Sequence, residues 1–397
     1  MSECPSPFVI DPLAAHNSTL DTRFCRLGCC IPCPSQNFFY PEGYLEKGFF
    51  ATDIVRSVSA ACVLIIVVSY LVLPDKRRHP TVLVLFLGIS VFLFSMVAFF
   101  SVGNTKALQC ASDGIRAADQ DNNKLCAAQG AILVFASFAS VVWCSILILN
   151  LHLHTVWNST FLVNKYILMN IIGWGVPSAM MGVALGLHAV KFEFANLCLV
   201  SIDYIFDIFF YPLAAFVCPA FLIHILTFFY IGKIAIREGV QSEMSQSLSR
   251  TSATDEATTR ARRHKHVINA FKIQWRALLL SLILVVAVLF YWLFYFTQVR
   301  KMSSLVYDES KILDWIGCML GANGVQNDCV YVLSKSLPPF PLMIVAETLV
   351  STIGTAVFIT FAKRSLLREW NDLIYDIRVS LGMRSHVEKN GEQFFAL

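Results

Sequence analysis

Seven stretches of this chain are apolar for about the length a helix needs to cross a bilayer, and charged or turn-forming segments separate them. A hydrocarbon core of about 30 Å takes roughly 20 apolar residues in a helix, because no backbone amide can go unpaired in lipid. The first run covers 54–73 (IVRSVSAACVLIIVVSYLVL) and stops at Pro74. The others cover 81–102, 127–151, 165–187, 208–231, 277–296 and 342–362. The fourth is interrupted by Gly173, Gly175 and Pro177, the fifth carries Pro212 and Pro219, and the sixth holds no charge. A buried helix of a soluble protein can imitate one such run. Seven in succession predict an all-α fold, a bundle of seven transmembrane helices over 54–362.

After the seventh run, KRSLLREWNDLIYDI places Leu366, Trp370, Leu373, Ile374 and Ile377 on one helical face, with Arg364, Arg368, Asp372 and Asp376 elsewhere. This predicts an amphipathic eighth helix over 363–378 that lies on the membrane surface, followed by a tail over 379–397.

Composition agrees with lipid as the solvent. Of the 397 residues 56% are apolar and only 15% charged, whereas soluble domains carry about a quarter charged residues. The net charge of +4 offers no case for a nucleic-acid partner. Its distribution sets the orientation. The 74–80, 152–163 and 232–275 loops and the tail hold 17 Lys and Arg, against 11 on the other side, where acids are interspersed. The first set is therefore expected in the cytosol, with the N-terminus outside a membrane that is expected to be the plasma membrane. The cysteine-rich segment 1–53 is polar, without the apolar core of a cleavable signal peptide, so the first span is expected to insert itself.

The 233–275 loop changes character. Between Gln241 and Thr259 it is mostly Ser, Thr, Glu, Gln and Ala, a composition that predicts disorder. Arg260, Arg262, Arg263 and Lys265 follow. They read both as charge near anionic membrane lipids and as a docking element for a cytosolic partner.

Cysteine placement supports the same sidedness. Ten of the 13 fall on the predicted outer side, Cys62, Cys144 and Cys218 lie inside spans, and none is in a cytosolic loop. That is the pattern of a disulfide framework facing an oxidising compartment. Cys126 at the top of the third span is expected to pair with Cys198 in the loop between spans four and five. Cys318 and Cys329 are expected to close their own loop. Cys4, Cys25, Cys29, Cys30, Cys33 and Cys110 remain, in an order the sequence leaves open. CRLGCCIPC has a zinc-like spacing, but outside the cell a disulfide knot is preferred and no metal is expected. Asn17, in Asn-Ser-Thr, is an expected glycosylation site, and Asn158, in the same motif, should face the cytosol unmodified.

Ionisable groups inside spans are costly and are functional candidates by default. Glu347 lies in span seven, Asp207 opens span five and His224 sits in its inner half. Glu347 and Asp207 would share the outer third and form a candidate ligand pocket; the plainer reading is an interhelical hydrogen bond from a protonated Glu347. His152 and His154 point to different sides of a helix and His224 has no evident second ligand, which argues against a zinc hydrolase. With no lysine in 342–362 there is no retinal attachment point. An enzyme and a bound cofactor are not expected. A transporter or channel is the alternative, although its broken helices would recur in matching halves, and spans four and five are consecutive.

Seven spans, a third-span cysteine facing a loop cysteine and a short amphipathic eighth helix resemble a G-protein-coupled receptor. The third span ends Leu149-Asn150-Leu151-His152 without an acidic–Arg–aromatic triplet, and the seventh lacks Asn-Pro-x-x-Tyr, so the rhodopsin-like branch does not fit. The chain is instead similar, over about 25–375, to the Frizzled/Smoothened membrane region. ASFASVVWCSILILNLHLHTVW (Ala136 to Trp157) is similar to that family's Ala-Ser-Ser-x-Trp-Trp run. QWRALLLSLIL opens the sixth span, TFAKRSL stands where the family has a Trp-Ser-Gly-Lys-Thr-Leu-like run, and CCIPCP looks like the fungal branch. The resemblance implies a receptor that relays an unidentified extracellular ligand to a cytosolic transducer, a heterotrimeric G protein or a Frizzled-type adaptor, by helix rearrangement. There are two departures. Animal members carry a large cysteine-rich ligand domain where this chain has 1–53, so a lipoglycoprotein ligand is not implied. The family sets a basic residue below span six against a tryptophan below span seven; Arg276 matches the first, and Phe361 replaces the second. A guanidinium over that ring is worth about 0.5–2 kcal/mol, and its rupture would free the sixth helix.

Overall fold

The computed structural model describes residues 4–16, 18–20, 24–77, 80–194, 196–248, 279–280, 282–299, 309–321 and 324–381. Among these, six helices are long and apolar enough to cross a membrane: α1 Tyr44–Val72, α2 Thr81–Phe100, α3 Lys124–Val156, α4 Tyr166–Gly186, α5 Ile205–Ile234 and α7 Phe340–Phe361. The shorter apolar helix Leu282–Gln298, α6, stands between the last two. The amphipathic α8 spans Arg364–Ser380.

α1 starts at Tyr44, ahead of the expected 54, and its 29 residues reach about 43 Å. The start is set by Gly43, whose φ of 72° leaves the helical region. Asp53 and Arg56 do not end the helix because both find partners, described below. α3 starts where Asn123 Oδ1 accepts from the N–H groups of Leu125 (2.9 Å) and Cys126 (3.2 Å). α5 opens with a π turn over Ile205–Phe210. Pro212 follows it, and its missing N–H suits a break in the ordinary ladder. The same helix continues to Leu248. The expected disorder of 233–275 is therefore corrected over its first part: the sequence KIAIREGVQSEMSQSL contains no proline and extends a helix already nucleated in the membrane span. The rest of that loop, its basic cluster, Arg276 and the tail from 382 lie outside the described residues.

α3 is the centre of the bundle, packing on α2, α4, α5 and a two-stranded hairpin, while α1 packs on α2 and α7. Trp143 of α3 is fully buried, its ring 4.6 Å from Phe86 and 5.3 Å from Trp174. Gly173 permits this, since a Cβ there would overlap the Trp143 ring. α4 buries a narrow strip containing Met169, Gly173, Pro177 and Ala184 and leaves Ile167, Leu168, Ile171 and Val183 exposed. An apolar outer face of this kind suits lipid.

All ten cysteines outside the spans are bridged, at one end of the bundle. Val9–Ile10 (β1), Cys25–Arg26 (β2) and Cys29–Cys30 (β3) form a small antiparallel sheet of order β1-β3-β2. It is tied by Cys4–Cys29 and Cys25–Cys30, and Cys33–Cys110 joins it to the segment after α2. Cys126–Cys198 fastens α3 to the hairpin of β4 (Val190–Phe194) and β5 (Leu197–Val200). Cys318–Cys329 closes the α6–α7 connection. Cys25 and Cys30 lie close to Asp11, but their sulfurs are bonded to each other, and Asp11 accepts from the N–H groups of Leu13 and Leu20.

The N-terminal segment also docks on the α6–α7 connection. Phe39 meets the fully buried Trp315 edge-on at 5.3 Å. Tyr40 donates to Pro338 O at 2.8 Å and Gln326 Nε2 to Asn37 O at 2.6 Å. Burial pushes the Tyr40 phenol above its ordinary pKa, so it stays a donor. At the other end, α8 buries Leu366, and Trp370 Nε1 donates to Ser69 Oγ at 2.9 Å. Lys76 pairs with Glu369 at 2.8 Å, and Ile374 and Ile377 remain exposed beside the bundle.

Candidate functional site

Gly48, Thr52, Arg56 and Ser59 recur at helical spacing along α1, and Gly48, Arg56 and Ser59 contact α7. Small residues allow the approach: a Cβ on Gly48 would stand 2.6 Å from Ile344 Cδ1, and one on Gly354 2.6 Å from Ser59 Oγ. α7 is broken at Thr352, between Phe340–Ser351 and Ile353–Phe361. Just past the break, the Thr355 N–H donates to Ser59 Oγ at 3.0 Å. One turn nearer the disulfide end, Arg56 Nη2 pairs with Glu347 Oε1, the two side chains 1% and 2% exposed. Removing two charges from solvent costs several kcal/mol per ion, which only close pairing offsets.

The pair forms part of the wall of a cavity of about 100 Å³. Tyr291 of α6, Ser137 and Ser140 of α3 and apolar side chains of α2, α3, α5, α6, α7 and β5 complete the lining. Arg56 Nε and Nη1 and Ser140 Oγ have no hydrogen-bond partner among the described residues. Arg56 Cζ stands 6.0 Å from the centroid of the Phe94 ring, and Tyr291 OH is a long 3.5 Å from Glu347 Oε2. Chemically this is an apolar hollow with a guanidinium at its edge that has donors to spare.

A second polar cluster lies above it. Asn196, between β4 and β5, donates through Nδ2 to Asp53 Oδ2 at 2.7 Å and accepts at Oδ1 from Gln109 Nε2 at 2.8 Å. Gln129 of α3 donates to Val97 O (3.1 Å) and Asn196 O (2.9 Å) and accepts from the Cys198 N–H (2.7 Å). The hairpin is thus held over the bundle by amides as well as by Cys126–Cys198. At the rim, Asp113 is lowered below the usual carboxylate range: burial raises it, but N–H groups of Ile115 and Arg116 and the Arg116 guanidinium outweigh that.

The residues singled out from the sequence fall in different places. Glu347 lines the cavity, but Asp207 is exposed in the π turn and does not. That turn directs Phe209 and Phe210 to the cavity instead, so the two carboxylates do not form one pocket. Phe361 ends α7 partly buried between two apolar clusters, while its expected partner Arg276 and the sequon Asn17 lie outside the described residues. His224 is buried with neither ring nitrogen partnered among the described residues. Sequence reasoning missed Arg56, Asp53 and Asn196. The signal for the first two was present, two opposite charges three residues apart where an apolar run begins.

This geometry defines a multi-pass helical membrane protein with a polar core. A model of the Frizzled/Smoothened family membrane region matches residues 47–377, and the chain belongs to that family. It is similar to the G protein-coupled receptor gprM of Aspergillus fumigatus, 27% identical over 380 residues that cover 93% of this chain and 76% of that protein. It is also similar to Frizzled and smoothened-like protein K of Dictyostelium discoideum, 32% identical over 120 residues, 30% of this chain and 20% of the relative. Human Frizzled-6 is 23% identical over 186 residues, 44% of this chain and 26% of that protein. The receptor class follows from the family.

Proposed function

We propose that the chain is a signalling receptor of the plasma membrane, its disulfide end outside and its opposite end engaging a heterotrimeric G protein or a Frizzled-type adaptor. The observation that carries this reading is the buried Arg56–Glu347 pair, which joins α1 to α7 on the wall of a cavity beneath a tied outer cap. A ligand that reaches the cavity or moves the cap acts on an element extending to the opposite face. At about 100 Å³ the cavity is below the 300–1,000 Å³ of drug-sized sites, so in this reading a ligand of that size enters only if the bundle opens. The name of the Aspergillus relative favours the G protein. The orientation is supported by basic residues concentrated at the other end and by ten bridged cysteines at this one. Glu347 with Arg56, and not Asp207, anchors the ligand pocket in this reading, and an Arg276–Phe361 contact holds the transducer face closed.

The test uses the full chain in lipid nanodiscs with purified heterotrimeric G protein. Receptor-dependent nucleotide exchange, raised by Arg276→Ala, is expected; no exchange and no recruitment of an adaptor, together with solute flux in proteoliposomes, would favour a transporter. Orientation has its own readout. Glycosidase treatment should shift the wild-type band but not that of Asn17→Gln, and Asn158→Gln should behave as wild type.

A further inference from the structure

Arg56 lies between two carboxylates and is committed to one. Glu347 faces it across the α1–α7 seam. Asp53 is three residues earlier on its own helix, a spacing that puts side chains side by side, about 5–6 Å between Cβ atoms, and the two charges are within electrostatic reach. Arg56 uses Nη2 for Glu347, while Nε and Nη1 are unpartnered among the described residues. A guanidinium with two idle donors in a site 1% exposed is an unfinished arrangement.

Asp53 is withheld from Arg56 by the hairpin. Ser101 also approaches it at 3.2 Å, but that hydroxyl has one hydrogen and a shorter bond, 2.7 Å, to Ala98 O. Asn196 is thus the carboxylate's principal donor. Its amide is oriented by Gln109 and its main chain held by Gln129, so it stays at Asp53 only while the hairpin is seated. If the hairpin lifts, a half-buried carboxylate loses its donor beside a guanidinium with idle ones, and a bidentate pair through Nε and the Nη2 released from Glu347 becomes the better arrangement.

We propose that Arg56 is a two-position switch, paired with Glu347 while Asn196 occupies Asp53, and paired with Asp53 once the hairpin withdraws Asn196. The exchange removes the ionic link between α1 and α7 beside the break at Thr352, and leaves Glu347 only the long contact to Tyr291. Displacement of the hairpin thereby becomes freedom of a transmembrane helix without any ligand reaching the cavity. The proposal does not depend on which transducer is used or on which side faces out.

The experiment is a pair of thermodynamic cycles on the full chain in nanodiscs, with unfolding followed by maleimide labelling of the buried Cys144. Glu347→Gln and Asp53→Asn are each measured in the wild type and in Asn196→Leu. In the wild-type background Glu347→Gln should lower the midpoint by several degrees. Asp53→Asn should change it little, because Asn196 can still donate to the new amide oxygen. In Asn196→Leu the order should reverse: Asp53→Asn becomes the costly change, and Glu347→Gln becomes neutral or stabilising because it discharges an abandoned carboxylate. Costs that are the same in both backgrounds overturn the switch. Should Asn196→Leu fail to fold, Gln109→Leu, which removes only the bond orienting Asn196, takes its place with the same criterion. Hydrogen exchange supplies a second reading. Protection of 340–351 should fall several-fold in Asn196→Leu, and unchanged protection also overturns the proposal.

Discussion

The two ends of the bundle are held by different kinds of bond. At one end five disulfides, the Gln109–Asn196–Asp53 hydrogen-bonded chain and the docking of Tyr40 and Trp315 join the N-terminal segment and the loops into one cap. At the other, an apolar cluster around Tyr70, Leu73 and Leu366 is joined by single, reversible polar contacts: Trp370 to Ser69, Lys76 to Glu369, and His152 to Thr227 at 2.7 Å. The last can be read in detail. Thr227 spends its hydrogen on Ile223 O at 2.7 Å, so its oxygen accepts and His152 carries a proton on Nδ1. Net contributions of such bonds are about 0.5–1.5 kcal/mol each, whereas removing a native disulfide costs about 2–5 kcal/mol. A bundle tied in this way is expected to pivot at the cap and move at the far end, with the Arg56–Glu347 pair between the two regimes.

The largest effect should come from that pair. Glu347→Ala leaves the Arg56 charge buried without its partner and should cost about 3–5 kcal/mol, read as a fall in the unfolding midpoint in nanodiscs. Arg56→Met combined with Glu347→Leu should recover most of it, because the apolar pair fills similar volume and has nothing to desolvate. A double variant as damaged as the single one would mean that the site is held by something other than charge. Next comes Cys126→Ser with Cys198→Ser, which should cost about 2–5 kcal/mol and increase proteolysis of the 190–200 hairpin while leaving α8 protected. Equal loss of protection at both ends would mean that the two ends are held alike.

Much of this frame is legible in the sequence, and the reason differs from element to element. Membrane spans announce themselves because lipid demands a run of apolar residues whatever they pack against. Cys126 and Cys198 are legible as a pair because one caps a span and the other sits in the loop above it. The pairings of Cys25, Cys29 and Cys30 depend on strands of two residues, in which Cys25 faces Cys30 across β2 and β3, and no periodicity reports such a register. Asp207 looked inward by its place in a span, but the π turn gives the inward positions to Phe209 and Phe210. Arg56 went unread because a charge near the edge of an apolar run looks like a boundary, and only the partner on α7 reveals it as core. Gly173 looked like an interruption of span four, whereas its role is to admit Trp143. Gly173→Ala should accordingly cost about 1–3 kcal/mol by overpacking, and Gly175→Ala, which meets nothing within 4 Å, should be close to neutral by the same thermal assay.

Small changes in stability are also expected at the lightly tied end. Trp370→Phe keeps a ring between α8 and the bundle, removes the donor to Ser69 Oγ, about 0.5–1.5 kcal/mol, and gives up part of the indole's apolar contact. Lys76→Ala breaks a pair whose side chains are 20% and 28% exposed, worth about 0–1 kcal/mol after solvent screening. Neither should move the unfolding midpoint by more than a few degrees, and the hydrogen exchange of the cap should not change. If motion is concentrated at this end and the proposed transducer binds there, the same two substitutions should still raise ligand-independent G-protein exchange, because they loosen α8 where α1 ends. Stability and output would then separate: the cap sets how firmly the fold is held, and the weak bonds at the opposite end set how often it opens. Loss of stability without a rise in output would instead place α8 outside the moving part and leave α5 and α6 to carry the change.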